Sequence, residues 1–384
     1  MNFEQLVKTY KINTLSGRYI TLDMIEPILQ QWNTSNQLQI VGQSVLNRPI
    51  YSYTIGCGST RILTWSQMHG NESTTTKALF DFLNFLQSNT DTANQWLAQF
   101  TFICLPMLNP DGAEAYIREN ANGVDLNRDA QLLSQPESKV LRQCFDAFQP
   151  DYCFNLHDQR TIYGAGATGK PATVSFLAPA YNAARDNNSV REKAMQVIVA
   201  MNDILQLFIP NQVGRFDDQF NLNCVGDTFM SLNTPTILFE AGHFEKDYVR
   251  EETRKFIFIA LLSGIRHLSE NVVVSNENAY YLQIPQNKVN FFDIVYKNVN
   301  INYDGMEKIT SFAVQYREEF VDDEVCFTGY FAAIGNLQDA FGHVEFDANG
   351  AEYSDDADNI PKLDAKADFY LGKTINIVNG LHKN

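Results

Sequence analysis

Two histidines and a glutamate have the residue types of a catalytic zinc site. His69 and Glu72 are three positions apart, close enough to bind one ion from a single loop-to-helix turn, and His157 supplies a second imidazole. Two imidazoles and one carboxylate leave the fourth position of a zinc ion to water, whose pKa the ion then lowers. The sequence therefore predicts one Zn²⁺ per chain, bound by these three side chains.

A site of this kind also needs a second carboxylate and cationic neighbours. Glu240 would act as the general base that deprotonates the water and as the proton donor to a leaving amine. One arginine can stabilise a developing oxyanion, and another can hold a substrate carboxylate through two hydrogen bonds. Arg118 and Arg128 are the candidates for these two roles, with Asn127 as a neutral hydrogen-bond partner.

Each of these groups follows a segment that is typical of a buried strand. The groups and their preceding strands are His69 with Glu72 after residues 61–67, Asn109 through Arg128 after 100–108, His157 after 151–156, and Glu240 after 235–239. In an open α/β sheet, ligands bind in the crevice at the carboxyl ends of the strands. We therefore expect the four groups to converge in space, although long stretches of chain separate them.

The segments between these strands predict the fold class. Several of them, such as Thr74–Leu86, have apolar residues at helical spacing. Alternating strands and helices favour an α/β domain over residues 1–271, with a mixed, largely parallel sheet and helices on both faces. From residue 272 the apolar periodicity falls towards two, which predicts a small all-β module over residues 272–384.

The composition is that of an acidic globular protein. Of 384 residues, 45% are hydrophobic, and the formal net charge is −16. This apolar content can bury a large core, whereas the negative charge disfavours binding to nucleic acids and to anionic membrane surfaces. We find no apolar run long enough for a signal peptide or a membrane-spanning helix, and the six scattered cysteines include no CxxC pair. The expectation is a cytoplasmic protein with reduced thiols, and its oligomeric state stays open.

The ordered set of motifs resembles the funnelin-type zinc carboxypeptidases, the family of carboxypeptidases A, B and N. MHGNE at residues 68–72 resembles the HxxE zinc motif of that family, and residues 109–112 resemble its NPDG segment. NGVDLNR at residues 122–128 resembles the segment whose Asn–Arg pair holds the terminal carboxylate of the substrate. The resemblance covers approximately residues 40–270. It implies zinc on His69, Glu72 and His157, Glu240 as the catalytic glutamate, Arg118 as the oxyanion-stabilising arginine, and Asn127 with Arg128 as the carboxylate-binding pair.

One departure from the family pattern concerns substrate fixation. Digestive members place a mobile tyrosine some two dozen residues before the catalytic glutamate, whereas residues 202–239 contain no tyrosine. Phenylalanines such as Phe216 and Phe220 cannot donate the hydrogen bond that a tyrosine hydroxyl supplies. We therefore expect substrate fixation to differ from that of the digestive enzymes.

These observations predict a zinc-dependent metallocarboxypeptidase that hydrolyses a C-terminal peptide bond. Its substrate would be a peptide or an acylated amino acid with a free carboxylate. One alternative is an N-acyl amino acid deacylase of the aspartoacylase or succinylglutamate desuccinylase type, because those enzymes share HGNE-like and DLNR-like motifs. A hydrolase of murein peptides and a non-catalytic zinc- or peptide-binding module are further alternatives.

Overall fold

The computed structural model describes residues 1–270, 277–303, 305–357, 359–372 and 374–383. The chain divides into two compact units: unit 1 comprises residues 1–159 and 172–287, and unit 2 comprises residues 160–171 and 288–384. The predicted domain boundary between residues 271 and 272 lies outside the described residues. Residues 160–171, which the sequence-based division placed in the first domain, lie in unit 2 of this division.

The helices all lie in unit 1, and the strands are shared between the two units. In chain order the helices are α1 (Phe3–Tyr10), α2 (Leu22–Trp32), α3 (Thr74–Leu86), α4 (Asp91–Gln99), α5 (Pro110–Ala115), α6 (Pro136–Phe148), α7 (Ser189–Leu205), α8 (Val225–Ser231), α9 (Glu251–Glu270) and α10 (Glu277–Gln283), as far as the structure describes the chain. The strands are β1 (Leu38–Gln43), β2 (Pro49–Gly56), β3 (Thr60–Trp65), β4 (Phe100–Leu105), β5 (Tyr152–Asp158), β6 (Tyr163–Ala165), β7 (Val174–Leu177), β8 (Val213–Arg215), β9 (Thr236–Ala241), β10 (Asn287–Val289), β11 (Phe291–Tyr303), β12 (Met306–Val321), β13 (Glu324–Gly335), β14 (Phe341–Asp347), β15 (Tyr353–Ser354), β16 (Phe369–Leu371), β17 (Ile375–Val378) and β18 (Leu381–His382).

Unit 1 is built on a mixed sheet of eight strands within the described residues, in the order β1-β2-β4-β3-β5-β9-β7-β8. The strands β4, β3, β5 and β9 at its centre run parallel to one another, and antiparallel pairing occurs towards its edges. One face of the sheet packs against α3, α7 and α9, and the other packs against α6 and α8. The predicted α/β fold class is therefore confirmed.

The interior of unit 1 contains paired charges as well as apolar side chains. Arg254 on α9 donates to both carboxylate oxygens of Asp81 on α3, at 2.7 and 2.6 Å. Lys77, one turn before Asp81, donates to Glu251 at 2.6 Å. A buried charge is tolerated when it is paired and hydrogen-bonded, so these contacts lock α3 against α9. The helix that begins just after Glu72 is thereby fixed at two points along its length.

Unit 2 is β-rich, in agreement with the predicted change of periodicity from residue 272 onwards. Its described strands form one sheet in the order β13-β12-β11-β14 and another in the order β15-β16-β17-β18. Aromatic side chains from the two sheets share one core, and they include Tyr296, Phe312, Phe331, Tyr353 and Phe369.

Residues 160–171 belong to unit 2 because they bond to its strands. Tyr163–Ala165 pairs with β10, and the backbone N–H of Phe291 donates to the carbonyl of Ile162 at 3.1 Å. The His343 ring also donates to the carbonyl of Thr161, at 2.8 Å.

None of the helices that the structure describes is both long enough and apolar enough to cross a membrane.

We predict that Asp81→Asn lowers the free energy of unfolding by about 3 kcal/mol, because the buried Arg254 guanidinium loses the carboxylate that it binds through two hydrogen bonds. Asp146→Asn is the matched control, since Asp146 pairs with Arg142 on the exposed side of α6. Loss of that exposed pair should cost less than about 0.5 kcal/mol. Chemical denaturation of the three proteins measures both values. Equal losses of unfolding free energy in the two variants would contradict the inference that the buried Asp81–Arg254 pair stabilises the fold more than the exposed Asp146–Arg142 pair does.

Candidate metal centre

The central parallel strands bring the predicted site residues to one edge of the sheet. His157 and Glu240 are the next-to-last residues of β5 and β9, and they lie directly opposite each other in the register of these strands. His69 and Glu72 lie in the connection between β3 and α3, and β3 pairs with β5 on the side away from β9. The expected convergence at the carboxyl ends of the strands is therefore present.

The side chains of His69, Glu72 and His157 form a compact donor cluster. Their ligand atoms all lie within 4.8 Å of one another, and all three residues are buried. Nδ1 of His69 is 2.8 Å from Oε1 of Glu72, Nδ1 of His157 is 2.9 Å from Oε2, and the two Nδ1 atoms are 3.1 Å apart. Two imidazole nitrogens and a carboxylate that face one point are the donor set of a three-ligand zinc site. The residues present thus fit a single metal ion.

The turn that carries His69 and Glu72 packs against the start of α5 and is hydrogen-bonded to it. Asn109 caps α5 by accepting a hydrogen bond from the N–H of Gly112 at 2.9 Å, and its amide donates to the carbonyl of Met68 at 3.2 Å. A Cβ atom on Gly70 would lie 1.9 Å from the carbonyl carbon of Gly112, so only glycine fits there. The NPDG segment therefore does more than turn the chain, because it anchors the residue before His69.

Asp125 is a site residue to which the sequence analysis gave no role. Its Oδ1 is 3.0 Å from Nε2 of His69, the ring nitrogen that faces away from the donor cluster. A carboxylate in this position orients a metal-binding imidazole and leaves Nδ1 free to bind the ion. Asp125 belongs to the NGVDLNR motif, so the motif was the available signal, but the contact itself depends on tertiary structure.

Arg118 lies beside the donor cluster, as its predicted role requires. Its Nε and Nη2 donate to Oδ2 of Asp125 at 3.2 and 3.1 Å, and its Nη1 donates to Oε1 of Glu72 at 3.1 Å. The side chain is 40% exposed, so a substrate can reach it. Asp125 thus contacts both a candidate metal ligand and the candidate oxyanion-binding arginine, and couples their positions.

Asn127 and Arg128 follow Asp125 on a single turn of 3-10 helix, Leu126–Arg128. The Asp125 side chain accepts a hydrogen bond from the N–H of Asn127 at 2.8 Å, and the Asn127 side chain accepts one from the N–H of Val225 at 3.0 Å. Arg128 is exposed, and its Nη1 contacts the carbonyl of Asn127 and Sγ of Cys224. The pair is therefore anchored between the candidate metal centre and the start of α8.

The two glutamates of the site have opposite electrostatic environments. Burial raises the pKa of Glu240 well above its ordinary value, and the nearby carboxylates of Glu72 and Asp158 raise it further. Burial also acts to raise the pKa of Glu72, but the adjacent His69 and His157 rings outweigh it and hold that pKa well below its usual range. Oε2 of Glu240 is buried and has no hydrogen-bond partner within the described part of the chain. Glu72 thus suits a permanently charged ligand, and Glu240 suits a group that exchanges a proton.

Residues 23–169 match the family model that is described as zinc carboxypeptidase. The predicted resemblance to zinc carboxypeptidases is therefore confirmed over these residues. Two solved metallo-carboxypeptidases are similar to this chain in fold. The one from Burkholderia cenocepacia has a TM-score of 0.52 at 17% identity and covers 66% of this chain and 70% of its own. The one from Pseudomonas aeruginosa, in complex with (2-guanidinoethylmercapto)succinic acid, has a TM-score of 0.50 at 16% identity, with 65% and 70% covered.

A curated relative is similar in sequence over a shorter stretch. Gamma-D-glutamyl-L-diamino acid endopeptidase 1 from Lysinibacillus sphaericus is 32% identical over 121 residues, an alignment that takes in 23% of this chain and 31% of that protein. This chain thus aligns with about a third of that relative's length.

We predict that Asp125→Asn weakens zinc binding about 10- to 100-fold, because His69 loses the carboxylate that orients its ring. Asp129→Asn is the control: Asp129 is also buried in this loop, but its carboxylate binds Ser134 and the backbone of Gln135. Competition between each protein and a zinc chelator measures the affinities. An unchanged affinity in Asp125→Asn would show that Asp125 does not support the metal centre.

Proposed function

We propose that this chain is a zinc-dependent hydrolase of the metallocarboxypeptidase type, which cleaves an amide bond next to a free carboxylate. The observation that carries the proposal is the convergence of His69, Glu72 and His157 at the sheet edge, with Glu240 in register opposite His157. These residues come from the β3–α3 connection and from the ends of β5 and β9. A structural salt bridge alone would not require two imidazoles among them.

The chain's own residues divide the chemistry between them. His69, Glu72 and His157 would hold the ion, which when bound lowers the pKa of a water molecule and polarises the scissile carbonyl. Glu240 would take a proton from the attacking water on Oε2, which has no hydrogen-bond partner among the described residues, as the water oxygen bonds to the carbonyl carbon. Glu240 would then return that proton to the amine nitrogen as the carbon–nitrogen bond breaks.

Two arginines would handle the charges on the substrate. Arg118 lies within hydrogen-bond distance of Glu72 and would stabilise the negative charge that develops on the carbonyl oxygen. The exposed guanidinium of Arg128 would hold the substrate carboxylate through two hydrogen bonds, assisted by Asn127. Phe216 and Phe220 would not replace a tyrosine hydroxyl in this contact, so carboxylate binding would rest more heavily on Arg128.

We predict that Glu240→Gln abolishes turnover while zinc stays bound at one ion per chain, because glutamine cannot accept the proton. Glu245→Gln, a change at an exposed glutamate five residues along the chain, should leave the rate unchanged. Steady-state kinetics and metal analysis of both variants test the mechanism. A wild-type rate in Glu240→Gln would remove the mechanism, whereas loss of zinc would make Glu240 part of the metal site.

Comparing the rates at which the protein hydrolyses three kinds of amide would identify its substrate class. The Lysinibacillus relative favours, as a second candidate, an amide bond between a γ-D-glutamyl group and an L-diamino acid. We expect cleavage of a hippuryl-type peptide or of a γ-D-glutamyl-diamino acid peptide, and at least tenfold lower kcat/KM on N-acetyl and N-succinyl amino acids. Preference for the N-acyl amino acids would instead identify a deacylase. A zinc-loaded protein inactive on all of them would favour a non-catalytic binding module.

A further inference from the structure

Arg250 combines two unfavourable features close to the candidate metal centre. Only 1% of its surface is exposed, and its backbone has a left-handed φ of 58°. Burial removes the hydration of the guanidinium, and a residue with a Cβ atom is disfavoured in the left-handed region. Such conformations persist where the surrounding contacts hold the residue in place, and they concentrate at functional sites.

The guanidinium of Arg250 bridges the carboxyl ends of β5 and β9. Nη1 donates to the carbonyl of Ala241 at 2.8 Å, and Nη2 donates to the carbonyl of Gln159 at 2.6 Å. Ala241 directly follows Glu240, and Gln159 lies two residues after His157. The N–H of Gln159 also donates to the carbonyl of Ala241, at 2.8 Å. Arg250 therefore joins the two backbone segments that directly follow the paired residues His157 and Glu240.

The same guanidinium also approaches the group that links β5 to α3. Nη1 lies 3.7 Å from Oδ2 of Asp158. The Asp158 carboxylate accepts hydrogen bonds from the N–H groups of Thr74 and Thr75 at the start of α3, at 2.8 and 3.1 Å. Its own N–H donates to Oε2 of Glu72 at 3.1 Å. Through Asp158, the position of Arg250 is connected to Glu72 as well.

Arg250 is itself held by the cap of α9. The Asp247 carboxylate accepts hydrogen bonds from the N–H groups of Glu251, Glu252 and Thr253, at 2.9, 2.8 and 3.1 Å. The N–H of Arg250 donates to the carbonyl of Asp247 at 3.0 Å. The left-handed turn at Arg250 therefore sits between this cap and the first turn of a long buried helix.

We propose that Arg250 is a positioning residue that sets the separation between the metal ligand His157 and the general base Glu240. The inference rests on the function proposed above. Lysine at this position would keep the charge, but its ammonium does not reproduce the planar pair of donors that reaches both carbonyls. The ends of β5 and β9 would then separate, and Glu240 would lie off the line of proton transfer.

Arg250→Lys and Arg254→Lys form a matched pair for the test. Arg254 is also 1% exposed and lies one helical turn further along α9, but it binds Asp81. We expect kcat of Arg250→Lys to fall about 10- to 100-fold with KM within twofold, because small displacements of a catalytic group are that costly. Arg254→Lys should lower the melting temperature yet keep kcat within twofold below that temperature. Equal kcat in Arg250→Lys and wild type, or equal losses in both variants, would overturn the proposal.

Two further measurements separate positioning from general stability. Hydrogen exchange of the Gln159 amide should accelerate at least tenfold in Arg250→Lys and stay unchanged in Arg254→Lys. Arg250→Gly suits the left-handed backbone, so it relieves the strain while removing the clamp. Its kcat should be low and should rise when millimolar guanidinium is added, and absence of any rise would count against the proposal. If wild-type protein cleaves no amide, the proposed function fails, and the Gln159 exchange still decides whether Arg250 clamps the strands.

Discussion

The candidate metal centre of this chain depends on the parallel pairing of β3, β5 and β9. Because the three strands run side by side in one direction, their carboxyl ends reach the same edge, and residues far apart in sequence meet there. The register adds a second constraint, since His157 and Glu240 occupy paired positions on neighbouring strands. A shift by one residue in either strand would turn one of these side chains to the opposite face of the sheet.

Carboxylates around the candidate metal centre arrange the side chains that would touch the ion. Asp125 reaches His69 and Arg118, and Asp158 joins β5 to the first turn of α3 and to Glu72. Each carboxylate accepts several hydrogen bonds, which limits the cost of burying Asp158 and of partly burying Asp125. These contacts hold His69, Arg118 and Glu72 in fixed relative positions, which is the arrangement that the proposed function needs.

Sequence reasoning identified the donor cluster because the relevant signals are local. A polar residue directly after an apolar strand is visible in the sequence, and the α/β rule then places it at the sheet edge. The role of Asp125 was not predicted, because the sequence shows only that a carboxylate lies in a loop. It does not show that this carboxylate contacts a histidine 56 positions earlier. The contacts of Arg250 were not predicted for the same reason. Its partners are backbone carbonyls at the ends of two strands that are distant in sequence, and no sequence motif encodes such contacts. The grouping of residues 160–171 with unit 2 depends on pairing between short, distant segments.

The division of the chain has a consequence for how the protein can be shortened. The polypeptide leaves unit 1 after Gln159, two residues past His157, and re-enters it at Ala172. A truncation that ends at residue 287 would keep every candidate catalytic residue. It would also keep the twelve residues 160–171 but remove most of β10, the strand with which Tyr163–Ala165 pairs. Separating the two units therefore calls for two cuts and a short bridge in place of residues 160–171, which begins three residues after the candidate metal ligand His157.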